Sequence, residues 1–388
     1  MLRVLTLSTL FPDASRPNFG IFVERQTGGL AAHPDVALKV VAPIGLPPFP
    51  LSMTRRYRAL TAQPRRECWN GLDVYRPRFI NIPGTGGRWH AAMLTRALVP
   101  LLDQLRRDFR FDIIDTEFFF PDGPAALALG RRYGVPVSIK ARGADIHYWG
   151  HARRTAGQVA QAVRDADGLL AVSQAMAGDI AALATPHMPV AVHHTGIDRS
   201  AFGVESRKEA RAALDIDDSP LIVSLGALIA RKRHDIVIGA IAALPGVRLH
   251  IIGEGPERAR LQAQIDRLGI GDRVTLLGAI AHAHLPRHLA AANVMALASA
   301  SEGLANAWVE ALASGTPIVI TDAGGAREMV TAPAAGRIAE PTPEAFAEEI
   351  ADLLAHPPPA ETVKATARRF SWEVNTAALY DHLARLVR

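Results

Sequence analysis

Cysteine is nearly missing: Cys68 is the single one in 388 residues. One thiol closes no internal disulfide and builds no zinc cluster, which fits a reducing compartment. Aromatic residues are scarce at 6%, while Ala, Leu and Val abound, a mix suited to helices packed on a parallel sheet rather than to a β-sandwich. Nowhere do about 18 apolar residues follow one another, so no helix is predicted to span a membrane. The uncharged stretch Val40 to Thr54 carries four prolines and is no such helix. The first residues, Met1-Leu2-Arg3-Val4-Leu5-Thr6-Leu7-Ser8, have a short apolar run and no small-residue cleavage site before Phe11-Pro12-Asp13. They read as a buried strand rather than a secretion signal. No helix-turn-helix, zinc knuckle or RNA-stacking pattern occurs, so nucleic acid is not an expected partner.

What is present is ordinary globular material, 49% hydrophobic and 21% charged, in a length that suggests two domains. The net charge of +5 is divided unequally: residues 1–200 carry 24 Lys/Arg against 16 Asp/Glu, residues 201–388 carry 19 against 22. Arg55, Arg56, Arg58, Arg65, Arg66, Arg76, Arg78 and Arg88 concentrate the excess. Such a cluster attracts phosphate-rich surfaces, including anionic lipid headgroups, or is simply a solvated face.

The second half alternates apolar runs (Leu221–Leu225, Val247–Ile252, Val274–Leu277, Val294–Leu297, Pro317–Thr321) with amphipathic segments (Asp235–Leu244, Pro256–Leu268, His284–Ala292, Leu304–Ser314). That alternation predicts a parallel sheet covered on both faces. The first half repeats the grammar with strands at Val4–Ser8, Leu38–Ala42, Ile113–Thr116, Val137–Lys140 and Gly168–Val172. Residues 43–90 show weak periodicity and predict one or two strands around Leu72–Pro77 between loops. A charged break near 198–216 divides the halves, and Trp372, Leu379, Leu383 and Leu386 mark one face of a final helix. The expected division is residues 1–198, residues 199–370 and a last helix 371–388. In doubly wound α/β folds ligands bind outside the carboxyl ends of the strands, so the chemistry is sought just after them.

Ser299-Ala300-Ser301-Glu302-Gly303-Leu304-Ala305-Asn306-Ala307-Trp308-Val309-Glu310 through Gly315-Thr316-Pro317 follows such a strand. A helix starting near Leu304 would offer unpaired backbone N–H groups and partial positive charge to a diphosphate. Glu302 precedes the helix and Glu310 lies two turns along it, roughly 10 Å away, a separation suited to gripping two ends of one ligand rather than to a direct acid/base pair. Val223-Ser224-Leu225-Gly226-Ala227-Leu228-Ile229-Ala230-Arg231-Lys232 follows the first strand of the second half, and its lysine and arginine can neutralise a departing diphosphate. Gly253-Glu254-Gly255-Pro256 superficially suggests a dinucleotide loop, but Arg258 stands where a third glycine is needed.

These segments resemble glycosyltransferase family 4, retaining enzymes of the GT-B fold with two facing Rossmann-like, doubly wound parallel-sheet domains and a cleft between them. The E-x7-E signature of that family matches Glu302 and Glu310. The resemblance implies that Glu302 contacts the donor sugar and Glu310 the ribose hydroxyls. Gly303, Leu304, Ala305 and Asn306 would supply the donor-side backbone, and Gly226, Lys232 and Gly253 the phosphate and base turns. The family's usual arginine position is Ala227, a departure for which Arg231 is the candidate substitute.

In the first half, Asn18-Phe19-Gly20-Ile21-Phe22-Val23-Glu24 resembles the family's glycine loop, with Gly20 close to donor phosphate and Glu24 facing either ligand or solvent. Arg142-Gly143-Ala144-Asp145 resembles its His-Gly-x-Asp turn, with Arg142 in the histidine position and Asp145 matching; His147 is a weaker substitute. An arginine can hydrogen-bond to a sugar but cannot act as a base. Asp115, Glu117 and Asp122 are candidate acceptor contacts or an acceptor base, and Phe118, Phe119 and Phe120 read as core or as a sugar platform. Thr195-Gly196-Ile197-Asp198 with Phe202 resembles the family's domain boundary.

The resemblance implies a metal-independent enzyme without a resident cofactor. Its donor would be a UDP-, GDP- or other nucleoside diphosphate sugar, and its acceptor a glycan or lipid-linked group. The place would be the cytoplasm or the inner face of the cytoplasmic membrane, held peripherally by an anionic surface. Two other readings remain open: a nucleotide-sugar epimerase or sugar phosphorylase on the same architecture, and a non-catalytic nucleotide-sugar-binding relative, for which Ala227 and Arg142 argue.

Overall fold

The computed structural model describes residues 1–388. The chain forms two compact units, Met1–Gly196 with Trp372–Arg388, and Ile197–Ser371.

In the first unit, β1 (Leu2–Leu7), β2 (Val36–Val41), β5 (Leu72–Tyr75), β7 (Ile113–Thr116), β8 (Val137–Ala141), β9 (Gly168–Ala171) and β10 (Ala191–Val192) run parallel, and β4 (Arg66–Trp69) closes one edge antiparallel to β5. The order is β10-β9-β8-β7-β1-β2-β5-β4, and β3 (Ile44–Leu46) pairs separately with β6 (Arg78–Ile80). Parallel strands need helices on both faces, because each return connection crosses the sheet. Accordingly Ile113–Thr116 and Val137–Ala141 are buried at every position. The last helix, Trp372–Val387, belongs to this unit: Leu379 and Leu383 pack with Val4, Leu30, Val36, Ile113 and Leu170.

In the second unit all six strands are parallel, in the order β13 (Val274–Gly278), β12 (Arg248–Ile252), β11 (Leu221–Leu225), β14 (Val294–Leu297), β15 (Ile318–Ile320) and β16 (Gly336–Ile338). Its core gathers Ile222, Val237, Ile241, Leu249, Ile251, Phe346 and Ile350 between sheet and helices.

In each unit the chain reverses its direction of winding once, between β7 and β1 in the first and between β11 and β14 in the second. The connections leaving the two strands at such a point go to opposite faces, which leaves a crevice at their carboxyl ends.

Several sequence expectations need correction. Residues 43–90 hold four short strands, β3 to β6, and a helix Arg55–Thr61, where one or two strands between loops were expected. The charged segment expected to be the break contains a helix, Arg207–Ala213, started by a reciprocal capping box of Ser206 and Glu209. The division itself falls between Gly196 and Ile197. β10 and β16 went unread, being two and three residues long.

Candidate active site

The loop leaving β11 turns through Gly226, makes a short 3-10 turn Ala230–Lys232, and enters the helix His234–Ala242. The loop leaving β14 runs from Ala298 to Ala305 before the helix Asn306–Ala313. Because β11 and β14 are neighbours at the switch point, the two loops meet: Ala300 N–H donates to Arg231 O at 2.8 Å. The Lys232 ammonium donates to Glu302 Oε1 at 2.5 Å, and an Arg231 guanidinium nitrogen lies 3.4 Å from Glu302 Oε2. Arg231 also donates to the Ser301 carbonyl. The side chain of Arg231, unplaced by sequence, thus stands beside Lys232, while Ala227 is exposed.

Glu302 is 8% exposed and Lys232 13%. Burial pushes the Glu302 carboxyl up, but the Lys232 and Arg231 charges more than offset it and hold the group below its ordinary range. Glu302 is therefore ionised, and the two basic side chains beside this one carboxylate leave a local excess of positive charge.

A third loop supports the second. Gly325 N–H donates to Gly303 O at 2.8 Å. Gly303, Leu304 and Ala305 are buried, so backbone is what they can offer a ligand. The helix begins at Asn306, two residues later than expected, and has no side-chain cap at Ala305. Its first N–H groups are thus not met by a side chain. Glu310 lies about one turn along this helix rather than two, buried, and joined to His282 Nε2 at 2.8 Å. His282 sits in the 3-10 turn His282–His284 after β13. Sequence reading did not single out this histidine, because the contact spans 28 residues.

Gly253 is explained by close packing. Its φ is 149°, and a Cβ there would stand 1.9 Å from Gly226 O, so only glycine lets the loops after β11 and β12 touch backbone to backbone. A cavity of about 640 Å³ adjoins the β14 and β15 loops, bounded by Arg233, Ser299, Ala300, Asp322 and Glu340 among others.

In the first unit the residues expected around Arg142 form a buried polar network. Arg142 donates Nε–H to Glu117 O at 3.0 Å, a second nitrogen to the Glu117 carboxylate, and a further bond to Gln26 Oε1 at 3.3 Å. Lys140 Nζ donates to Gln26 Oε1 at 2.7 Å and to His193 Nδ1 at 2.6 Å, and His193 Nε2–H reaches Asn375 O at 2.8 Å. Burial, then the Arg142 charge, pushes Lys140 well below the usual lysine value, while burial and the neighbouring Glu117 push Asp115 well above the usual carboxylate value.

Asp145, expected in the catalytic set, is fully buried and accepts N–H bonds from Phe119 at 2.9 Å, Gly143 at 2.7 Å and Arg142 at 3.0 Å. It organises its turn. Asp122 is likewise buried and accepts from the Thr9 N–H at 2.7 Å, and burial drives its carboxyl up to about 8. Glu117 and Asp115 are buried too, so none of these three is an exposed acceptor base. Phe119 and Phe120 are core. His147 is bonded to Asp179 at 2.9 Å and Glu24 to Asn70 at 2.9 Å. Gly20 caps the helix Ile21–Ala31 with φ 72°, and a Cβ there would lie 2.5 Å from Leu10 O.

Comparison with known proteins agrees with this architecture. Residues 23–201 match the family model described as Glycosyltransferase Family 4, and residues 206–370 match Glycosyl transferases group 1. The chain is 27% identical to the teichuronic acid biosynthesis glycosyltransferase TuaC of Bacillus subtilis, covering 84% of this chain and 82% of that one. It is 33% identical to the D-inositol 3-phosphate glycosyltransferase of Segniliparus rotundus over 56% of this chain, and spans about half (52%) of that relative. Among solved structures, sucrose-phosphate synthase of Thermosynechococcus elongatus superposes with a TM-score of 0.81 at 20% identity, over 100% of this chain and 99% of that one. HepE of Anabaena in complex with UDP superposes at 0.76 and 18%, over 99% and 100%. The chain belongs to glycosyltransferase family 4 and is a glycosyltransferase built on the two-domain GT-B fold.

Proposed function

We propose that the protein transfers a sugar from a nucleoside diphosphate sugar to a glycan or lipid-linked acceptor, with retention of configuration, in the synthesis of a surface polysaccharide or glycolipid. The observation that carries this reading is the Lys232–Glu302 ion pair at the β11/β14 switch point, with Arg231 beside it. A diphosphate needs cations and free N–H groups where negative charge grows as the glycosidic bond breaks. Lys232, Arg231 and the uncapped start of the helix Asn306–Ala313 supply them. Glu302, kept ionised, accepts hydrogen bonds from the hydroxyls of the donor sugar. Glu310, oriented by His282, accepts those of the ribose.

Fixed cations in this place do what a divalent ion does elsewhere, and the reading is metal-independent. The first unit takes the acceptor and the second the donor. Arg142 is locked by Glu117, and its remaining nitrogen, which has no partner, is buried as well, so it braces the first unit rather than touching the sugar. The names of TuaC, a teichuronic acid enzyme, and of HepE, solved with UDP, support a polysaccharide role and a uridine donor. Such acceptors place the protein at the inner face of the cytoplasmic membrane.

A screen of UDP-, GDP- and ADP-sugars by thermal shift, followed by release of nucleotide with and without chelator, tests the proposal. At least one donor raises the melting temperature, and turnover persists in chelator. Absence of any shift, or turnover abolished by chelator, contradicts it. The non-catalytic reading gains from the exposed Ala227 and loses from Arg231, which stands beside the same carboxylate.

A further inference from the structure

Residues 47–66 contain five arginines and no Asp or Glu. Within them the chain leaves β3, passes through a 3-10 turn Leu51–Met53 and enters the helix Arg55–Thr61. Phe49 is 82% exposed, Leu51 51% and Met53 62%, three large apolar side chains within five residues on a surface where such groups are normally scattered singly. Ile80, at the end of β6 and paired with Leu46, is also exposed. Arg55, Arg56, Arg58 and Arg65 are exposed, and no ion pair engages them, whereas Arg66 and Arg76 are held by Asp73 and Glu67. The helix and the turn form one piece, since Thr61 Oγ1 donates to Ser52 O at 3.2 Å.

We infer that this apolar spur and its arginines dock the protein on an anionic lipid bilayer, the spur entering the acyl boundary and the arginines meeting headgroup phosphates. Two features select this occupant. Nucleic acid would use the arginines but has no place for Phe49, Leu51 and Met53. A second copy in an isologous dimer would bring the same acid-free arginine segment against itself, and like charges across an interface are repulsive. A bilayer with anionic headgroups accommodates both halves of the patch. This surface is independent of the donor site, so a Lys232→Ala variant is expected to dock like the wild type.

Sedimentation with vesicles of phosphatidylcholine, alone or mixed with phosphatidylglycerol, tests the inference. The wild type should sediment with the mixed vesicles and not with the neutral ones. Each arginine near an anionic surface is worth about fivefold, so the triple variant Arg55→Gln/Arg56→Gln/Arg58→Gln should bind about a hundredfold more weakly. Phe49→Ser/Met53→Ser should remove the binding that survives high salt, where Coulomb attraction is screened. All five positions are exposed, so the melting curves should match the wild type; if either variant melts early, Phe49→Ser alone replaces it. Failure of the wild type to bind mixed vesicles overturns the inference, as does binding indifferent to both variants. A dimer seen by light scattering that Phe49→Ser/Met53→Ser dissociates would also overturn it, since the spur would then cover itself.

Discussion

At a buried ion pair, losing one partner is far worse than losing both, because the survivor keeps its desolvation cost without its counter-charge. Arg142 and Glu117 are such a pair, with side chains 4% and 0% exposed. Arg142→Ala should therefore cost the first unit about 3–5 kcal/mol in chemical denaturation, and Arg142→Met/Glu117→Gln should cost clearly less than the single change. Asp122 carries a different signature. Its carboxyl is driven to about 8 by burial, against an ordinary value near 4, so folding takes up a proton between those limits. The stability tied to the protonated form is complete below about pH 4 and is lost as pH rises towards 8. Asp122→Asn keeps the acceptor for Thr9 and removes the titration. It should raise stability at pH 7 by on the order of 2–4 kcal/mol and flatten the slope of stability over that window. Glu302, Glu310 and Lys232 could be singled out in sequence because each sits in a motif of fixed spacing. Their partners were not: Lys232 meets Glu302 across 70 residues, and Arg142 meets Gln26 across 116, distances that local pattern does not encode.

Elements were readable in proportion to their length and periodicity. Ile113–Thr116, Leu221–Leu225 and Val294–Leu297 stand where continuous apolar runs announced them, because a strand buried on both faces admits little else. Between residues 43 and 90 the strands are three or four residues long, too short to establish a period, and one of them pairs antiparallel. The final helix was plain from its apolar face. What sequence could not supply was the polar bonds it makes beneath that face, between His382 Nε2 and Ser138 Oγ at 2.9 Å, from Asn375 Nδ2 to His194 O at 2.6 Å and from His193 Nε2 to Asn375 O at 2.8 Å. Leu379 lies at the centre of the packed face, fully buried. Leu379→Ala should destabilise the first unit by about 2–5 kcal/mol, read by urea unfolding, with the second unit's transition unmoved. A shift of both transitions would contradict the division of the chain.

For the whole molecule, strand order is the property that makes a site. Motifs lying about 70 residues apart converge because β11 and β14 are neighbours in space while their connections diverge. The sequence showed strand–helix alternation and hence the class of fold; it did not show the order of strands, which is set by packing among elements distant in the chain. A donor that binds these loops stabilises the unit that contains them, by RT ln(1 + [L]/Kd). In calorimetry, nucleotide sugar should raise the transition of residues 197–371 and leave that of the first unit in place until an acceptor is added. The central claim, that Lys232 and Glu302 together hold the donor, is tested most directly by titrating the best nucleotide sugar of the screen into wild type, Lys232→Ala and Glu302→Gln by calorimetry. The account predicts that Lys232→Ala weakens binding of both the sugar nucleotide and the free nucleoside diphosphate by about tenfold or more. It predicts that Glu302→Gln weakens the sugar nucleotide but not the free diphosphate. Equal affinity of all three proteins for both ligands would contradict it.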